Sequence, residues 1–130
     1  MRSHGLSAVF APRQLGGDID GDGALDEVAQ VIRTGDGRRG LALCRAGTWL
    51  EKIDFEDGDV TGLRPGFVGQ TEAWQWISER TPLPQHLNGY DMPKADGDLL
   101  ILERAEKEAI VIYWRDGGLN AKRVYGHVEP

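Results

Sequence analysis

Residues 98–127, DLLILERAEKEAIVIYWRDGGLNAKRVYGH, decide the fold class. Three runs of strand length, 98–104, 108–115 and 119–127, are separated by AEKE and RDGGLN. A short Asp-Gly turn between such runs supplies the positive φ of a tight hairpin, so Asp116, Gly117 and Gly118 predict that the second run folds back onto the third. The apolar run Ala109-Ile110-Val111-Ile112-Tyr113-Trp114 is a strand's length and far short of the roughly 20 residues that span a bilayer.

The same grammar extends upstream. Val28 to Arg33 and Gly40 to Arg45 are short apolar runs joined by TGDGRRG, in which Gly35, Asp36 and Gly37 suit a hairpin. After a turn at Ala46-Gly47, a third run covers Thr48 to Phe55 and ends at EDGD. TEAWQWISER, residues 71–80, is the one helical pattern: Thr71 as N-cap, Trp74 and Ile77 three apart, and Pro82 as a stop, the alternative being a loop. Residues 82–94 hold three prolines, Asn88 and Gly89 and read as an irregular connection. The expectation is a mainly β single domain over residues 1–130: an antiparallel meander of about six strands in a small sandwich or curled sheet, with at most one short helix.

Composition narrows the partners. The chain has 130 residues, 40% hydrophobic and 28% charged, with 18 glycines that suit many tight turns. A net charge of −6 argues against nucleic acid, which requires clustered Lys and Arg. No membrane insertion is expected. Cys44 is the single cysteine, so no intrachain disulfide forms, and its apolar neighbours predict a small buried hydrophobe. The N-terminal stretch MRSHGLSAVFAPRQ, residues 1–14, lacks the apolar core of a signal peptide. The chain is therefore either cytoplasmic or a mature form with an artificial start.

The chemistry concentrates in GDIDGDGALDEVAQVI, residues 17–32. Asp18, Asp20, Asp22 and Asp26 crowd like charges that water screens only in part. Alternate residues of a tightly curled loop aim inward, and calcium takes six to eight oxygens in a flexible shell. Numbered from Asp18, the carboxylates occupy positions one, three, five and nine, Gly21 and Gly23 permit the curl, and the Ala24 carbonyl at position seven supplies a further oxygen. The expected cofactor is Ca2+, held by Asp18, Asp20, Asp22, Ala24 and Asp26. Magnesium, with its rigid octahedron, suits fewer carboxylates. Position twelve is Ala29 rather than a bidentate glutamate, and a strand rather than a helix follows, so the loop is not an EF-hand. The other acidic groups, DFEDGD (54–59) and Asp96 with Asp98, lack alternate spacing and read as exposed turns.

The pattern D-x-D-x-D-G-x-x-D running into an apolar strand resembles the calcium loops of FG-GAP and VCBS-type repeats of β-propeller blades. The likeness covers Gly17 to about Ile32. One such loop cannot build a propeller, which needs several blades. The chain is also similar to small exported bacterial proteins of unassigned function that carry one such loop and end in a strand, an aromatic turn and a basic last strand, here LLILERAEKEAIVIYWRDGGLNAKRVYG. That resemblance implies periplasmic or secreted residence and brings no catalytic residues.

No catalytic constellation stands out. His4, His86 and His127 are scattered without metal-ligand spacing, and Ser3, Ser7 and Ser78 lack a nucleophile elbow. Trp49 and Trp114 alternate with apolar neighbours and read as core; Trp74, Trp76 and Tyr90 are the expected partner-contact surface. The function expected is a noncatalytic, extracytoplasmic bacterial calcium-binding β-domain that contacts another protein, as an inhibitor or immunity-type protein does. The alternatives are a carbohydrate-binding or cell-wall-associated module using those aromatics, and a hydrolase with an unrecognised carboxylate site.

Overall fold

The computed structural model describes residues 4–6, 14–33, 35–45, 47–53, 60–64, 66–78, 83–104 and 108–125. Two antiparallel sheets face each other across one core. In the first sheet, β3 (Asp26–Arg33), β4 (Arg39–Arg45) and β5 (Thr48–Ile53) form a meander. Two short strands, β1 (His4–Leu6) and β2 (Gln14–Gly17), share the outer side of β3, with β1 against Val31 to Arg33 and β2 against Asp26 to Ala29. In the second sheet, β6 (Ala73–Ile77), β7 (Leu99–Arg104), β8 (Glu108–Arg115) and β9 (Gly118–Tyr125) follow in chain order. Mainly β structure, antiparallel meanders and the sandwich arrangement all match expectation.

The hairpin chemistry acts where it was anticipated. Arg115 pairs with Gly118 across a two-residue turn in which Asp116 (φ 55°) and Gly117 (φ 78°) both take positive φ. At the β3–β4 turn, of Gly35, Asp36 and Gly37 only Gly37 adopts positive φ, at 70°.

The core explains why β4 and β8 read as continuous apolar runs. Leu41 and Leu43 of β4 and Ile110 and Ile112 of β8 enter the space between the sheets, together with Val28, Ile53, Leu100 and Leu102. Their alternating neighbours are buried as well: Val111 and Ala109 join Ile77, Ile101 and Leu87 on the outer face of the second sheet. A strand covered on both faces has no polar side to show. Residues 83–92 supply that outer cover through Leu83, Leu87 and Met92, with one 3-10 turn at Gln85–Leu87. Cys44 is buried, as expected. Among the described residues no helix is long and apolar enough to cross a membrane.

One element differs from expectation. TEAWQWISER contains a strand, β6, rather than a helix. Trp74 and Trp76, two apart, cannot share a helix face but do share a strand face, and both indoles enter the core, 3% and 8% exposed, opposite Leu102 and Leu100. Burial of two large rings outweighs the weak helical pattern. An α-helical turn, α1 (Phe67–Gln70), lies just upstream, and Thr71, read as an N-cap, is its C-cap and donates its hydroxyl to the Phe67 carbonyl at 3.1 Å. Trp114 packs partly buried against the core. The Trp49 side chain, DFEDGD, Ser3, Ser7, His127 and Pro82 lie outside the described residues, as does the side chain of His4.

Burial ranks the side chains for a test. Leu102→Ala, which empties a fully buried site between the sheets, is expected to cost about 2–5 kcal/mol. Leu25→Ala, at a position 66% exposed, should stay within about 0.5 kcal/mol. Urea unfolding midpoints at constant slope measure both.

Candidate metal centre

Gly17 pairs with Asp26, so residues 18–25 form the tip of a β2–β3 hairpin, and Asp26 is both the last acid of the motif and the first residue of β3. The curl is made as anticipated: Gly21 and Gly23 have φ of 76° and 84°. Asp18 organises the interior. Its Oδ1 accepts the N–H groups of Gly21 (2.9 Å) and Asp22 (3.1 Å), and its Oδ2 accepts that of Gly23 (2.8 Å). Asp22 Oδ1 accepts from the Ala24 N–H at 2.8 Å, and Asp26 Oδ2, fully buried, accepts from the Ile19 N–H at 3.0 Å. Local side-chain to main-chain bonds thus replace the ladder in this turn.

The result gathers what the spacing foretold. Asp18, Asp20, Asp22 and Asp26 each place one carboxylate oxygen within 4.8 Å of the others. Oxygens around one cation at about 2.3–2.6 Å lie at most about 4.6–5.2 Å apart, and the spacing of these four falls within that range. Ala24 sits within the same loop. This is a cluster of carboxylates able to coordinate a metal ion.

Two contacts that sequence reasoning missed dock the bend. Arg45 Nε donates to Asp20 Oδ2 at 3.0 Å, while its guanidinium lies 4.0 Å from the centroid of the Trp114 ring. The signal was present in the hairpin register, because counting back from the β3–β4 turn pairs Arg45 with Asp26. The second contact is Asp98, read as part of an exposed turn. Its Oδ2 accepts both the Asp18 N–H and the Trp76 indole N–H, each at 2.8 Å, and its own N–H donates to the Asp18 carbonyl at 2.7 Å. No local spacing could reveal a partner 80 residues away. Gly17 makes room for this meeting, since a Cβ there would overlap the Trp76 indole and the Asp98 carboxylate. Asp96, in contrast, is exposed as expected.

Electrostatics follow the contacts. Burial pushes the Asp20 carboxyl up, but the Asp22 N–H, the Arg45 guanidinium and the hydrogen bonds with Asp22 and Asp18 outweigh it and hold it below its ordinary 3.8. Four carboxylates and one guanidinium leave the bend strongly negative.

The aromatic surface changes. Trp74 and Trp76 are core residues, so they form no contact platform; of the three expected aromatics Tyr90 alone is exposed, at 46%. Its ring leans on Tyr125, 5.4 Å between centroids. Tyr125 in turn donates to Glu103, a buried carboxylate that also accepts from Gln75 (2.9 Å) and meets His86 Nε2 at 2.8 Å. An open cleft of about 920 Å3 borders the acidic bend, with Leu25, Ile77, Leu99 and Asp96 among its walls.

No protein-family model matches the chain, and neither a curated protein nor a solved structure matches it.

A lowered folded-state pKa fixes the sign of an acid test. Asp20 stabilises the fold fully above its unfolded value near 3.8 and progressively less as pH falls through the lower folded value. In cation-free buffer, Asp20→Asn should therefore melt below the wild type at pH 6, with the gap narrowing below pH of about 4. Thermal melts of both proteins from pH 6 to about pH 2 measure it.

Proposed function

We propose that the chain is a noncatalytic calcium-binding β-domain that works outside the cytoplasm by contacting another protein, in the manner of an inhibitor or an immunity protein for a secreted toxin. The observation that carries the calcium reading is the convergence of four aspartates, each with one carboxylate oxygen within 4.8 Å of the others. An all-oxygen donor set rich in carboxylates, on a loop built of glycine-permitted turns, favours a hard cation with a flexible shell, which is calcium before magnesium. The likeness of residues 17–32 to FG-GAP and VCBS-type loops supports the same ion. Sites of this class fill at the calcium levels found outside cells more readily than at cytosolic ones. That consideration, with the resemblance to exported bacterial proteins, supports periplasmic or secreted residence.

The role of the ion is structural. It offsets most of the negative charge of the bend and ties the start of β3, at Asp26, to the rest of the bend. A protein partner is the reading for the cleft beside it, whose rim carries Leu25, 66% exposed.

Titration calorimetry on chelator-stripped protein tests the ion. Calcium should bind at one site per chain, and magnesium more weakly. At a free calcium level one hundred times the dissociation constant the fold gains about 2.7 kcal/mol, a rise in melting temperature on the order of 10 °C. Asp22→Ala should lower both the calcium affinity and the melting temperature. Identical wild-type melts in calcium and in chelator would overturn the reading.

A further inference from the structure

The carboxylate of Asp98 is the point at which the acidic bend meets the second sheet. One oxygen, Oδ2, serves two donors from opposite sheets, the main-chain N–H of Asp18 and the indole N–H of Trp76, at 2.8 Å each. The N–H of Asp98 donates to the Asp18 carbonyl at 2.7 Å, so Asp18 is gripped through both of its main-chain polar groups. Asp18 in turn collects the N–H groups of Gly21, Asp22 and Gly23. The order of contacts therefore runs from Asp98 to Asp18 to the amides that shape the bend.

We propose that Asp98 is the positioning residue of the acidic bend, seating Asp18 from the second sheet, and that the Trp76 indole N–H registers whether the bend is seated. Hydrogen bonds to an ionised carboxylate are about twice as strong as neutral ones, and an indole N–H in a core position 8% exposed has much to lose when its acceptor leaves. Gly17 supports the assignment, because the backbone there leaves the space that lets indole, carboxylate and bend converge. For cation binding the inference rests on the calcium reading above: a seated Asp18 presents its oxygens already oriented, and an unseated one must be ordered by the ion.

Amide exchange in chelator tests the seating without any cation. The Asp18 main-chain N–H and the Trp76 indole N–H are followed in wild type, Asp98→Asn and Asp98→Ala, with the Val111 amide of β8 as a remote reference. Both N–H groups should exchange at least about tenfold faster in Asp98→Ala and by an intermediate factor in Asp98→Asn, whose amide oxygen accepts without charge, while Val111 stays at the wild-type rate. Unchanged exchange at Asp18 and Trp76, or an equal acceleration at Val111, overturns the proposal. Should Asp98→Ala fail to fold, Asp98→Asn decides by the same comparison. Calcium titration then reads the functional half: Asp98→Asn should bind calcium about tenfold more weakly than the wild type. Wild-type affinity in Asp98→Asn overturns that half. A wild type that takes up no calcium removes the proposed function and leaves the exchange result to stand on its own.

Discussion

Like charges in a confined turn are the constraint on which this molecule is organised. Four carboxylates within 4.8 Å of one another repel strongly unless the surroundings compensate. Part of the compensation is built in. Five main-chain N–H groups point at the side chains of Asp18, Asp22 and Asp26, and the Arg45 guanidinium sits on Asp20. The remainder of the charge is what makes the bend attractive to a cation. Because the bend is also the tip of the β2–β3 hairpin, any force that opens it acts directly on the first residues of β3.

The bend lies on the seam between the sheets, and both tethers cross that seam. Arg45 comes from the first sheet and lays its guanidinium on Trp114 of the second, while Asp98, just ahead of β7, holds Asp18. Apolar packing of Val28, Leu41 and Leu43 against Leu100, Leu102 and Ile112 brings the sheets together. The polar tethers add direction to a force that has none. Hydrophobic burial selects a sandwich; the hydrogen bonds select where its open end closes.

What was legible in the chain follows from how local each signal is. The three C-terminal runs, the Asp116-Gly117 turn and the strands at Val28 to Arg33 and Gly40 to Arg45 depend on nearest neighbours, and the structure has them within a residue or two where described. The four aspartates are equally local, since their geometry is that of one curled loop. The strands β1 and β2 escaped because HGL and QLGG carry too few side chains to alternate. β6 was misread because the burial of Trp74 and Trp76 is decided by Leu100 and Leu102, outside any window around them. Asp98 was misread for the same reason: DGD is an ordinary turn until a backbone from elsewhere arrives to be bound.

The cover over the outer face of the second sheet has a consequence of its own. Leu83, Leu87 and Met92 lie on Ile101, Val111 and Ile77, and the His86 ring beside them meets the buried Glu103. An irregular strap of this kind screens a surface that would otherwise be as sticky as the core. A single cut by a protease between Leu83 and Met92 would lift the strap without breaking either sheet, and the nicked molecule would then be a folded particle with one greasy flank, prone to gather with its own kind.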